Sequence, residues 1–229
     1  MTALLRTRHS IPGTAWFGMV VVTFFCVLAV FAPLIAPYGQ TEIVGTEFAP
    51  WSAQNLLGTD NLGRDMVTRL IYGARNTIGI AIVTTLLAFL VGVTLGLIAG
   101  TMRGWVDQVL ARTVDVLMAV PSLIFTLLLL SIFGTSMVNM VVIIAAVEST
   151  RVFRLARALA LGISVLDYVE AAKLRGEGLW WVIGREILPN ASAPLIAEFG
   201  LRFCFVFLFV ATLSFLGLGI QPPTADWGS

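Results

Sequence analysis

Apolar residues run almost unbroken through five stretches of the chain, at 16–36, 78–100, 114–133, 135–152 and 195–218, separated by shorter polar connections. A helix rising 1.5 Å per residue needs about 20 such residues to cross the hydrocarbon core of a bilayer. The pattern therefore predicts an all-α polytopic membrane protein with five spans in this chain. The first span ends at Pro33 and Pro37. The second carries Gly92 and Gly96, a small-xxx-small face that lets helices approach closely. The third contains Pro121, which kinks it or marks a helix start. The fourth runs into Arg151, Arg154 and Arg157, a basic stripe at helical spacing. Residues 167–189, reading DYVEAAKLRGEGLWWVIGREILP, form a charged amphipathic island outside the bilayer core. The island predicts helix, break, helix. Val169, Ala172, Lys173 and Leu174 continue one helix, Gly176 and Gly178 interrupt it, and Leu179 to Ile187 resume before Pro189 ends the run. Asn190 or Ser192 is expected to cap the fifth helix, with Pro194 in its first turn.

Composition supports this reading. The chain is 58% hydrophobic and 12% charged, with mean hydropathy +0.94, whereas soluble domains carry about 25% charged residues. The apolar stretch near the N-terminus is too long for a signal-peptide core and reads as a retained anchor. A net charge of +1 without basic runs gives no footing for nucleic acid. Cys26 and Cys204 both lie in apolar runs and read as packing residues. A single histidine, His9, leaves no histidine-based metal site or catalytic dyad. The chain contains no G-x-x-x-x-G-K-[ST] phosphate loop, no H-E-x-x-H, no C-x-x-C and no G-x-S-x-G. It is expected to be a non-enzyme with no cofactor of its own. One candidate for chemistry inside the membrane is the pair Glu198 and Arg202, one helical turn apart. Intramembrane ionisable residues are functional candidates by default, and an internal salt bridge near a helix end is the equal alternative.

Two motifs carry a resemblance. In the island, Glu170-Ala171-Ala172, then Gly176, then Ile187-Leu188-Pro189 resembles the cytoplasmic "EAA" loop of binding-protein-dependent ABC importer permeases. In the first connection, NLLGTDNLGRDMVTRLIYGARN at 55–76 resembles the signature of the C-type permease of dipeptide and oligopeptide importers, through Gly58, Thr59, Asp60, Gly63, Arg64 and Asp65. The closing LSFLGLGIQPPTADWGS is similar to the same branch. The resemblance implies the transmembrane domain of a type I ABC importer for peptides or a related solute. It implies a coupling helix that docks on a separate ATPase, with Glu170 as its charged anchor, Ala171 and Ala172 for close contact and Gly176 for the turn. It also implies a B-type partner permease, two ATP-binding subunits holding ATP and Mg, and a periplasmic or lipid-anchored substrate-binding protein. Read from the residues alone, Asp60, Arg64 and Asp65 are an ion-pair cluster that folds their loop, and substrate contact is the lesser reading.

Charge asymmetry sets an orientation. With the N-terminus cytoplasmic, the inner segments hold Arg6, Arg8, Arg103, Arg112, Arg151, Arg154, Arg157, Lys173, Arg175 and Arg185, and the outer face only Arg64, Arg69 and Arg75. That satisfies the positive-inside rule, makes the island cytoplasmic and leaves Ser229 outside. Two regions are expected: 1–75, with tail, first span and outer loop, and 76–229, the transport domain with a coupling loop at 156–192. Because related permeases continue into a sixth helix, a C-terminally truncated chain is expected. A secondary transporter or channel would show inverted repeats with broken helices, and no clear repeat is present. A membrane-embedded enzyme lacks the side chains it would need.

Overall fold

The computed structural model describes residues 12–228, in two compact units that divide between Asn76 and Thr77. Arg6, Arg8, His9 and Ser229 lie outside the described residues. Every named element is helical, and the only β-type pairings among the described residues are the isolated bridges Ile43–Arg64 and Thr59–Asp65.

The first unit begins with α1 (Gly13–Val30), continued after a break by the short α2 (Ala32–Ile35). Helix α1 buries only Ala29 and presents Phe17, Val20 and Phe24 outward, as a helix bathed in lipid would. Residues 36–65 then form a folded loop without regular structure, leading into α3 (Met66–Met102).

The second unit contains α3 from residue 77, α4 (Gly104–Met118), α5 (Ser122–Phe133), α6 (Met137–Ile163) and α7 (Asp167–Leu174). It continues through α8 (Leu179–Trp181), a π-helical segment (Val182–Ile187) and α9 (Leu188–Phe215). Helices α3 and α6 meet along glycines, as the small-residue face predicts. A Cβ built on Gly92 would lie 2.6 Å from the Ser149 carbonyl oxygen, on Gly96 2.7 Å from Ala156 Cβ, and on Gly100 2.6 Å from Ala160 Cβ. These positions have no room for any side chain, so backbone contact takes the place of side-chain interdigitation. Two apolar cores follow. One gathers Leu97, Ala156, Ala160, Val169, Ala172, Ile183 and Ile187, tying the island to α3 and α6. The other joins Ala81, Leu130, Met140, Ile144, Val206 and Val210 deeper in the bundle. The closing segment folds back on α9: Ile220 N donates to Ser214 Oγ (3.1 Å), and Trp227 stacks edge-on against Phe207 and donates its backbone N–H to Thr77 Oγ1 (3.1 Å).

The structure differs from the sequence expectations at several places. Three helices are long and apolar enough to cross a membrane, α1, α3 and the α8–α9 run, or four if the bent pair α4–α5 counts as one. Five spans were expected. The expected third span, 114–133, is not one helix: Pro121 caps the start of α5, and α4 and α5 meet at 87°. A proline forces the preceding backbone out of helical geometry. The fourth helix does not end near 152 but runs to Ile163, carrying Arg154 and Arg157 with it. Pro189 does not stop the island's second helix. The π segment immediately before it widens the backbone, and the ring is taken into the first turn of α9. Neither Asn190 nor Ser192 caps a helix. Asn190 Nδ2 donates to the Glu186 carbonyl (2.6 Å), Ser192 Oγ to the Pro189 carbonyl (2.7 Å), and Pro194 lies inside α9.

Candidate functional site

The island is fastened to the helices beside it along one face. Helix α7 places Val169 and Ala172 fully into the core shared with α3, α6 and the π segment, and leaves Glu170, Ala171, Lys173 and Leu174 exposed. Its end is closed by glycine geometry. Gly176 sits at φ +84°, its N–H bonds the Lys173 carbonyl (2.9 Å), and Glu177 N–H bonds the Ala172 carbonyl (3.2 Å). This is a Schellman termination, which needs a left-handed residue at its turn. The Arg175 guanidinium lies 5.9 Å from the Trp181 ring centre across that turn. Of the motif residues after the turn, Ile187 is fully buried in the same core, whereas Leu188 and Pro189 are exposed. The signature thus divides by face. Ala172 and Ile187 fasten the loop to its own bundle, while Glu170, Ala171, Leu188 and Pro189 lie at the surface.

Behind the island, ion pairs anchor α4 to α6. Arg157 forms a bidentate pair with Asp107, with Nη2 to Oδ2 at 2.7 Å and Nε on the other oxygen, and Arg154 pairs with Asp115 at 2.9 Å. Arg103 reaches from the start of α4 to Ser164 Oγ (3.0 Å), just before α7. Sequence reading found the arginine stripe but not its partners, which lie 39 and 50 residues away.

Glu198 and Arg202 do pair, with Nε 2.7 Å from Oε1, and they are not alone. Arg202 Nη1 donates to Glu148 Oε2 on α6 at 3.1 Å, with both side chains almost fully buried, and its guanidinium lies 4.7 Å from the Phe205 ring centre. The Nε–H direction misses Glu198, so that contact is an attraction of charges without a good hydrogen bond. Two carboxylates and one guanidinium therefore bind α6 to α9 within the bundle. Glu148 was legible as a charge at the end of an apolar run, but nothing local tied it to Arg202.

The outer-loop residues converge too. Asp60 accepts backbone N–H bonds from Leu62 (2.8 Å) and Arg64 (2.9 Å), pairs with the Arg64 guanidinium at 2.7 Å, and lies 3.3 Å from Arg69 Nε. Asp65 starts α3 by accepting from Thr68 N (2.7 Å) and Thr68 Oγ1 (2.8 Å). Thr59 Oγ1 donates to the Thr46 carbonyl (2.6 Å) and accepts from Ala49 N–H (2.8 Å). Gly58 and Gly63 both sit at φ +73°, where a Cβ would strike the Ala49 and Gly45 carbonyl oxygens respectively. Burial alone would raise the Asp60 pKa. The backbone donors of Arg64 and Leu62, with the Arg64 side chain, outweigh it and hold the pKa below the usual range. In this geometry each signature residue holds the loop to itself. Among the described residues no cluster of His, Cys, Asp and Glu could hold a metal ion.

Long apolar helices, and a charged segment fastened to them along one face, are the features of an integral membrane protein. Comparison with known proteins gives the family. Residues 92–229 match the profile described as binding-protein-dependent transport system inner membrane component, and residues 13–63 match the N-terminal TM domain of oligopeptide transport permease C. Among similar proteins, a dipeptide transport system permease of Alkalihalophilus pseudofirmus is 36% identical over 213 residues, 92% of this chain and 70% of its own length. A di/tripeptide transport system permease of Pseudomonas aeruginosa is 38% identical over 224 residues, covering 95% and 73%. A probable D,D-dipeptide transport system permease of Escherichia coli is 34% identical over 211 residues, covering 92% and 71%. The chain belongs to the family of binding-protein-dependent inner-membrane transport components, and it is a permease subunit of such an importer.

Proposed function

We propose that this permease carries di- or oligopeptides, or a closely related solute, through alternating access driven by ATP hydrolysis in separate subunits. The names of its relatives support the substrate class. It works beside a B-type permease, with two ATP-binding subunits that hold ATP and Mg, and a periplasmic or lipid-anchored binding protein delivers the solute. Five crossings fit the charge asymmetry: α1, α3, the bent pair α4–α5, α6 and the α8–α9 run. If α4–α5 instead turned back as a re-entrant hairpin, a crossing α6 would leave α7 on the outer side, against the charge asymmetry.

The observation that carries the proposal is the two-faced build of α7. Its buried face, Val169 and Ala172, fixes it to α3, α6 and the π segment, and its exposed face, Glu170 and Ala171, is free to seat in an ATPase groove. A displacement of α7 therefore moves the ends of three long helices together. Closure of the ATPases would draw two such loops inward and open the pathway outward, and hydrolysis would reset it. The outer loop is a self-braced cap that keeps α3 in register.

The test is uptake of a labelled peptide by cells carrying Glu170→Lys or Gly176→Val, with membrane level measured in parallel. Glu170 is exposed, so Glu170→Lys leaves the fold intact, whereas Gly176→Val meets no atom within 4 Å but strains the left-handed turn at φ +84°. The expected result for both is normal membrane level with uptake reduced at least tenfold. Normal uptake by both variants would remove the coupling role.

A further inference from the structure

We propose that a cleft between α4 and α6 is a binding site for an anionic phospholipid of the cytoplasmic leaflet. Two cavities of about 380 Å3 each adjoin there. One is polar, lined by Gln108, Arg112, Asp115, Arg154 and Arg157. The other is apolar, lined by Leu87, Val91 and Leu95 of α3, Leu110 and Leu117 of α4, and Val142 of α6. Val114 and Phe153 line both, so the two form one amphipathic site.

The charges select an anion. Three arginines, at 112, 154 and 157, face two aspartates, at 107 and 115, leaving one positive charge over. Arg157 is committed to its bidentate partner Asp107. The Arg154–Asp115 pair is open to solvent, with side-chain exposures of 57% and 43%, and such pairs hold weakly enough to exchange for a better anion. Arg112 is exposed and takes part in none of the ion pairs found among the described residues. A phosphodiester at the cleft mouth would meet Arg112 and Arg154 together, and guanidinium–phosphate pairs can be bidentate.

The apolar half selects a lipid over a free phosphate. A soluble anion would leave the wall of Leu87, Val91 and Leu117 facing water, whereas the upper carbons of an acyl chain would cover it. Helix placement points the same way. With α5 along the membrane normal, the 87° bend lays α4 near the plane of the leaflet. One face of α4 exposes Trp105 (76%), Val109 (56%) and Val116 (71%), with Arg112 among them; a tryptophan and an arginine side by side suit the headgroup level of a bilayer. Basic pockets between membrane helices on the cytoplasmic side are suited to anionic headgroups.

The test is native mass spectrometry of the complete permease–ATPase complex in detergent, with phosphatidylglycerol or phosphatidylethanolamine of matched chains added. It reads the site whatever the orientation of the chain, so its failure is separable from failure of the coupling role. The wild type should retain phosphatidylglycerol in preference to phosphatidylethanolamine, and the double variant Arg112→Gln, Arg154→Gln should weaken that retention about tenfold or more. A second variant, Ala146→Leu, keeps every charge, fills the apolar half from the exposed side and should weaken retention of long-chain but not short-chain phosphatidylglycerol. Equal retention by wild type and both variants would overturn the proposal. Displacement by glycerol phosphate would also do so, by showing a simple phosphate site, as would a photo-crosslinker at Val109 that captured an acidic segment of the partner permease instead of lipid.

Discussion

Asp60 shows how single residues set the outer loop. Its carboxylate serves two backbone N–H groups and the Arg64 guanidinium, and its pKa lies below the ordinary aspartate value. A carboxylate with a depressed folded-state pKa adds stability that is fully present above its unfolded value, near pH 4, and is lost as pH falls through the folded value. Hydrogen exchange over residues 44–66 should therefore be flat from pH 8 to 5, after correction for intrinsic rates, and should lose protection only below about pH 4. Asp60→Asn should remove that acid transition and expose the loop to protease at neutral pH. Gly58 makes a steric case of the same kind. Its backbone lies at φ +73° with no space for a Cβ, so Gly58→Ala should lower loop stability by at least about 1 kcal/mol, read as faster exchange of the Met66 N–H that bonds the Gly58 carbonyl.

Among the elements, the α3–α6 contact is the firmest seam. Gly96 has no room beside Ala156 Cβ and the Phe153 carbonyl, whereas Gly79, on the same helix, has nothing within 4 Å. Gly96→Leu should lower the thermal midpoint of the purified complex through an overpacking cost of about 1–3 kcal/mol, and Gly79→Leu should leave it nearly unchanged. The Glu148–Arg202–Glu198 group makes a second seam. Arg202→Met would strand the buried Glu148, a loss of about 3–5 kcal/mol, whereas Glu198→Gln removes only the more open partner and should cost less. Here the sequence was an uneven guide. Gly92 and Gly96 announced close packing because their spacing is local, and Glu198–Arg202 was visible for the same reason. Glu148, Asp107 and Asp115 were invisible as partners because 54, 50 and 39 residues separate them from their arginines. The π segment was hidden by Pro189, which reads as a stop unless the backbone before it widens. The 87° bend behind Pro121 was legible as a break but not as an angle.

Across the whole molecule, the account requires that motion at α7 be felt within the bundle, and the fastening of Val169, Ala172 and Ile187 supplies the link. Widening that fastening should uncouple transport without unseating the loop from its partner. Ala172→Val is predicted to keep the ATPase bound while reducing ATP-driven uptake, measured with the complex in proteoliposomes. The central claim, that the exposed face of α7 seats on an ATPase, is tested most directly by cross-linking from Glu170→Cys. Cys26 and Cys204 would first be changed to serine, since both are exposed thiols. The complex would be purified through a tag on this chain and its cross-linked peptides identified by mass spectrometry. The account predicts a cross-link to a subunit carrying a phosphate loop, with a yield that changes when ATP is added and hydrolysis is blocked. A chain that purifies alone, gives no such cross-link and still moves peptide across vesicle membranes without ATP would contradict it.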